Sequence, residues 1–258
     1  MNDEPLFEDR IKAAYHLALL DEPYSERVEW FYHRDAQGCA DAAAAFYDVG
    51  RPKILFLLGD ADGLEECLSG AELPEIAYAA YFPEHAAAVH ETYCVPHPLE
   101  MQRMALGRDA FRAGAARHTS RTDTVVLRDA HLPLLEELFS SEPGFRPDPY
   151  QYARGRYLGI LDGGRLLAAA GTHFVSEENS FAMIGNVITR PEHRRLGLAT
   201  RVVVGLLSRL FDRVETVCLN VGSDNTAAVK MYESLGFSTH CVYYEGVGAL
   251  REVAASVA

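Results

Sequence analysis

The sequence is short of positive charge. Its 24 basic residues, 21 Arg against only three Lys (Lys12, Lys53, Lys230), face 37 acidic ones, for a formal net charge of −13. A sequence-independent grip on DNA or RNA rests on Lys and Arg neutralising phosphates, so no nucleic-acid partner is expected. The chain also lacks any apolar run near the roughly 18–20 residues that span a bilayer. Its opening, MNDEPLFEDR, is acidic where an export signal would be basic and then apolar. Neither a membrane protein nor a Sec-exported one is expected. Cysteine is sparse: Cys39, Cys67, Cys94, Cys218 and Cys241 are scattered, with no CxxC pair. That spacing excludes a disulfide framework and a zinc ribbon and points to the reducing cytoplasm. The histidines form no HExxH or comparable spacing, so no metal is expected.

What is present is ample core. With 48% hydrophobic residues in 258, the chain can build one large domain or two ordinary ones. The acidity is uneven: residues 1–120 hold 21 Asp/Glu against 10 Lys/Arg, and residues 121–258 hold 16 against 14. An acidic first lobe favours cationic ligands such as amines through its field, although acidity also serves solubility alone.

The polar stretch Gly114–Asp123 (GAARHTSRTD) has no apolar periodicity and marks a boundary, giving lobes 1–118 and 122–258. In the first lobe the patterns predict a helix over Phe7–Leu20, an alanine-rich helix over Ala40–Tyr47, and a buried strand at Lys53–Leu58 (KILFLL). A helix over Gly63–Leu68, strand Ile76–Phe82, helix Glu84–Thr92 and strand Glu100–Leu106 follow. This is a smaller α/β lobe. The Gly59-Asp60 turn after KILFLL has neither GxGxxG nor GxxxxGK[ST] spacing and is a strand-to-helix turn.

The second lobe predicts a strand at Asp123–Arg128, a helix from a capping Asp129 to Phe139, and a Pro/Gly-rich loop over Ser140–Pro149. A meander follows: Tyr157–Leu161, the turn Asp162-Gly163-Gly164, Arg165–Ala170, Thr172–Val175, and Ala182–Thr189 after a polar turn at Ser176–Ser180. After that strand, Arg194-Arg195-Leu196-Gly197-Leu198-Ala199 leads into a helix whose apolar positions are Val203, Leu206, Leu207 and Leu210. The unpaired N–H groups and positive dipole end of such a helix, entered through small residues, make a seat for phosphate or pyrophosphate. Val214–Val221 alternates as a strand, and a helix from Asn225 to Leu235 ends at Gly236. Asn225 and Tyr232, seven apart with Ala228 between them, share one face of that helix. They could line a groove or simply pack an amphipathic helix.

The pattern V-x-x-x-P-x-x-R-x-x-G-x-A followed by N-x-x-A-x-x-x-Y-E-x-x-G-F resembles the two signature motifs of the GNAT superfamily of acyl-CoA-dependent N-acyltransferases. The resemblance implies a mixed-sheet α/β GNAT fold over residues 122–258. The first lobe, through KILFLLGDADGLEECL, LPEIAYAAYFPEH and PHPLEMQRMAL, resembles more weakly the N-terminal lobe of FR47-like proteins and relatives of glycine N-acyltransferase. It lacks the glycine turn and the Asn/Tyr helix. It is therefore expected to be a degenerate GNAT-like half without a CoA site of its own.

By position, the resemblance implies that Arg194 opens the loop and that Arg195, Leu196, Gly197, Leu198, Ala199 and Thr200 hold the CoA pyrophosphate through backbone amides. Val187, Ile188 and Thr189 would pair with pantetheine and aim an amide at the thioester oxygen. Asn225 would contact CoA, and Tyr232 would protonate the departing thiolate. The family's frequent glutamate base, five residues before the motif asparagine, is Asn220 here, which takes no proton. His173 is the first candidate base; Glu177, Glu178 and Glu245 are others. The expected activity is transfer of an acetyl or short acyl group from acetyl-CoA to a primary amine on a small molecule, in a ternary complex and without metal, by a monomer or homodimer. The alternatives are a protein or peptide N-acetyltransferase and a non-catalytic CoA-binding sensor.

Overall fold

A computed structural model of the chain describes residues 4–22, 24–50, 52–69, 72–115, 123–142 and 156–252. These fold as two compact units. The first holds Met1–Arg103, Val221–Asp224 and Thr239–Ala258, the second Met104–Asn220 and Asn225–Ser238. The polar seam at residues 114–123 lies largely outside the described residues. The last strand counts with the first unit rather than with the lobe it follows in sequence, because its backbone pairs there.

In the first unit β1 (Val28–Arg34), β2 (Ala40–Tyr47), β3 (Lys53–Gly59), β4 (Ile76–Tyr81) and β12 (Ser238–Leu250) lie side by side in that order. Every pairing is antiparallel except β3 with β4, whose crossover is the helix α2 (Ala61–Ser69). The short β5 (Tyr93–Cys94) pairs with the end of β12, and α1 (Ala14–Leu20) and α3 (Ala86–Thr92) complete the helices packed there. The expected helix over Ala40–Tyr47 is the strand β2. Alanine's helix propensity, worth well under 1 kcal/mol per residue, is overridden by two ladders, with β1 and β3. The small side chains of Ala42–Ala45 are fully buried, and α2 approaches so closely that a methyl group on Gly63 would lie 2.9 Å from the Ala42 methyl. The hairpin signal is Asp35, whose carboxylate accepts from the Gln37 and Cys39 amides at 2.9 Å each.

In the second unit β7 (Val125–Leu127), β8 (Tyr157–Asp162), β9 (Arg165–Ser176), β10 (Phe181–Thr189) and β11 (Thr216–Gly222) follow one another in space. Here too one pair is parallel, β10 with β11, joined through α6 (Leu198–Leu210). The strand expected in two pieces on either side of Gly171 is the single long β9. The Gly163-Gly164 turn, with φ of 54° and 81°, closes the β8–β9 hairpin as expected. The helix α5 (Leu132–Ser140) is entered through a single 3-10 turn at Asp129–His131. His131 Nδ1, not the Asp129 carboxylate, accepts the Arg128 amide there, at 3.0 Å. Leu135, Leu138 and Phe139 of α5 pack on Tyr157, Leu166, Ala169 and Ile188. α6 buries Val202, Val203, Leu206, Leu207 and Leu210, each worth about 1.5–3 kcal/mol on leaving water. β6 (Leu99–Gly107), α4 (Arg108–Ala115) and α7 (Thr226–Ser234) complete the elements named here.

The first unit contains an unusual core residue. His16 is buried with its ring 6.2 Å from Trp30 and 6.0 Å from Phe56. Burial first, and the nearby Arg103 guanidinium second, push its pKa from 6.5 down to about 3. The unfolded chain therefore binds this proton between pH 6.5 and about 3 while the folded chain refuses it, so the stability is complete above pH 6.5 and declines on acidification. Urea unfolding at pH 7 and pH 5 should show His16 costing about 2 kcal/mol at the lower pH, from about 1.4 kcal/mol per pH unit. In His16→Leu that part of the acid loss should vanish; an unchanged loss would mean His16 titrates in the folded state.

Candidate active site

The second unit carries a designed interruption of its sheet. The parallel ladder between β10 and β11 runs from Phe181–Thr216 to Ile184–Leu219 and stops, although both strands continue. Just there the other ladder is irregular too. Met183 pairs with Phe174 and Ile184 with Thr172, which leaves His173 as an extra residue on β9. Gly185 then pairs with Gly171, and Ile188 with Ala169, so that Asn186 and Val187 oppose the single Ala170. These are two β-bulges on either side of one glycine pair, and bulges re-aim side chains. Asn186 sits in the left-handed region with φ 52°, a conformation asparagine tolerates better than most residues.

The paired glycines make room for two rings. A methyl group on Gly185 would lie 2.2 Å from His173 Nε2, and one on Gly171 would lie 2.3 Å from the Tyr157 ring. Asn186 joins them: its amide donates to Tyr157 Oη at 2.6 Å, and its side chain is hydrogen-bonded to His173. Burial holds the His173 pKa below 6.5 and the Asn186 bond opposes that, so the imidazole is neutral at pH 7.

At the far end of β10 the chain is prepared for an anion. Arg190 is buried: its Nε donates to Leu166 O at 2.8 Å, its amide to Leu167 O at 2.9 Å, and its guanidinium pairs with Glu137 at 2.7 Å. It thus ties the strand end to β9 and α5. Sequence reasoning missed it, and the only signal was an arginine before Pro191 in an otherwise apolar strand. After the turn Pro191–His193, Arg195 and Gly197 are both left-handed, with φ of 63° and 73°. Alternation of this kind curls successive N–H groups inward as an anion-binding nest. Among the described residues, none of the six amides from Arg195 to Thr200 has a hydrogen-bond partner. A methyl on Gly197 would meet nothing within 4 Å, so the space in front of the loop is open. The Thr189 hydroxyl is buried beside it without a described partner. Arg194 leans on Glu142 and the Thr189 carbonyl, and Arg201 on Asp123.

Of the other expected residues, Asn225 caps α7, its side-chain oxygen accepting from the Ala228 amide at 3.2 Å. Tyr232 is buried edge-on against Phe237, 5.7 Å between centroids, and its hydroxyl bonds no described residue. Burial raises the phenol's pKa above the ordinary tyrosine value, so it carries its proton at neutral pH. Asn220 lies half-buried on β11. Of the three other candidate bases, two lie at the far end of the strand. Glu177 and Glu178 occupy the β9–β10 turn at the start of β10, about 15 Å or more along the strand from Gly185, and Glu177 is paired with Arg213 at 2.8 Å. Glu245 counts with the first unit, where Tyr243 donates to it at 3.0 Å. The loop expected over Ser140–Pro149 lies mostly outside the described residues.

Residues 157–244 match the family model described as FR47-like protein. Among characterised sequences, the chain is 33% identical over 107 residues to the ribosomal protein bS18-alanine N-acetyltransferase of Escherichia coli K12, a stretch that covers 41% of this chain and 65% of that enzyme. The chain thus spans slightly less than two thirds of the curated relatives it matches. Among solved structures, a GCN5-related N-acetyltransferase from Kribbella flavida superposes with a TM-score of 0.62 at 14% identity, over 93% of this chain and 94% of that one. An acetyltransferase from the GNAT family from Colwellia psychrerythraea gives 0.54 at 14% identity, over 95% and 98%. At such identities these two establish likeness of fold.

The glycine pair yields a prediction. Gly185→Ala should push the His173 ring off its seat rather than unfold the unit, costing about 1–3 kcal/mol in urea unfolding, as overpacking does. The His173 NMR resonances should move at the same time. Unchanged stability and unchanged resonances would show that the ring does not occupy this space.

Proposed function

We propose that the chain, whose residues 157–244 match the FR47-like family model, is an acyl-CoA-dependent N-acetyltransferase acting on a primary amine of a small molecule. The observation that carries this is the row of amides from Arg195 to Thr200, none with a partner among the described residues, next to a strand that has left its parallel neighbour. The row suits a pyrophosphate, with Arg194 opening it and Asn225 offering its amide to CoA. The slot suits a pantetheine arm pairing with Val187, Ile188 and Thr189. These residues thus fit acetyl-CoA as co-substrate.

The chemistry follows from the side chains. The amine attacks the thioester carbonyl as the free base. A backbone N–H of the Val187–Thr189 segment holds the oxyanion of the tetrahedral intermediate. His173, neutral at pH 7, takes the proton the amine nitrogen sheds, which Asn220 cannot do. As the carbon–sulfur bond breaks, Tyr232 gives its phenolic proton to the thiolate sulfur. The products are an N-acyl amide and CoA thiol. The excess of acid in residues 1–120 supports a cationic acceptor, and scattered cysteines with no CxxC spacing support a cytoplasmic setting.

A second reading has its own observation: the Escherichia coli relative is named for an alanine of a ribosomal protein, which supports a peptide N-terminus as acceptor. Thiol release from acetyl-CoA, measured against polyamines, amino acids and peptides beginning with alanine, separates the two. Turnover of small amines supports the first reading and preference for the peptides the second. CoA binding with no turnover of any acceptor leaves a CoA sensor.

Two substitutions test the assigned roles. Tyr232→Phe should lower kcat about 100-fold while CoA affinity stays within about twofold, because one proton donor is lost and little shape. Unaltered kcat would remove the tyrosine from the mechanism. Gly197→Glu should abolish CoA binding in calorimetry by placing a carboxylate in the anion seat; retained tight binding would mean that CoA phosphates lie elsewhere.

A further inference from the structure

The double bulge does more than open a slot. His173 comes from the bulge on β9 and Asn186 from the bulge on β10, on opposite sides of the Gly185–Gly171 pair. Tyr157 reaches the same place from β8, filling the space a Gly171 methyl would take. Cross-strand partners project to the same face, so both rings rest on the face that α5 covers. Asn186 is the hinge of the group: its N–H is committed to Tyr157 Oη, and its bond to His173 favours the protonated ring. With an N–H turned to Tyr157, the Asn186 amide has its carbonyl oxygen left to accept an imidazole N–H. A carbonyl acting so would select which ring nitrogen carries the proton in the neutral form and leave the other as the basic one.

We propose that Asn186 and Tyr157 are positioning residues for His173, Tyr157 orienting the Asn186 amide and Asn186 fixing the tautomer and direction of the imidazole. The role of His173 as base rests on the acetyltransferase reading; the network itself does not. Nothing in this arrangement needs an added charge. Tyr157 is a titratable side chain that shares the contact. The left-handed backbone at residue 186 is a second requirement, separable from the amide, because glycine adopts it freely.

The test uses the full-length chain, labelled with nitrogen-15 at histidine, as wild type, Asn186→Gly, Asn186→Asp and Tyr157→Phe. The His173 titration is followed by NMR and kcat is followed against pH with a responding amine. In Asn186→Gly the pKa of His173 should fall, the proton should distribute over both ring nitrogens, and kcat should drop about 10- to 100-fold with KM for acetyl-CoA within about twofold. Asn186→Asp places a carboxylate beside the ring, so the His173 pKa and the acidic limb of kcat should both move up. Tyr157→Phe should follow the glycine variant in direction and keeps the test decisive if that variant does not fold. Opposite shifts in the two Asn186 variants are not expected of a residue that merely supports the strand. Identical His173 titrations in all the proteins would overturn the proposal, as would an unmoved kcat and pH limb in Asn186→Gly. A wild type that acetylates no amine would overturn the acetyltransferase reading instead, and the NMR titrations would still decide the network.

Discussion

A parallel ladder that ends early is the constraint on which the site depends. β10 and β11 share four paired positions, and after Ile184–Leu219 neither strand satisfies the other. Backbone groups left so need another partner, since an unpaired buried amide or carbonyl costs about 1–3 kcal/mol. An extended pantetheine, with its own amides, is the kind of ligand that answers this need. The two bulges, the left-handed Asn186 and the buried Arg190 are the means by which β10 turns away without losing β9.

The same economy explains the loop that follows. Two left-handed residues, one of them the non-glycine Arg195, are backbone conformations costing on the order of 1 kcal/mol or more where a Cβ is present. They leave six amides without partners among the described residues. A chain selected for stability alone would cap this helix with a side chain, as Asn225 caps α7. At the start of α6 there is no side-chain cap, and the helix end remains available to an anion.

Much of this is legible in the sequence because it is local. The turn Arg194–Gly197, the start of α6 and the Asn225 to Leu235 helix follow from glycine placement and helical spacing, and the structure has them within a residue or two. The GNAT-like mixed sheet of the second lobe is equally readable from its motif order. What failed was non-local. Ala40–Tyr47 has the composition of a helix and becomes a strand because β1 and β3 flank it. Glu177 and Glu178 looked available as bases until the register put them at the wrong end of β10. Asn186 and Tyr157 were overlooked since a bulge is a property of two paired strands. The faint trace was an isolated glycine inside each strand pattern, Gly171 and Gly185.

The central claim is that the amides of Arg195–Thr200 receive an acyl-CoA pyrophosphate. Hydrogen exchange resolved to single amides, on the full-length chain with and without acetyl-CoA, addresses it most directly. The account predicts strong protection of those six amides together with the Val187–Thr189 segment on adding the ligand. Protection confined to other parts of the chain, or none at saturating acetyl-CoA, would contradict it.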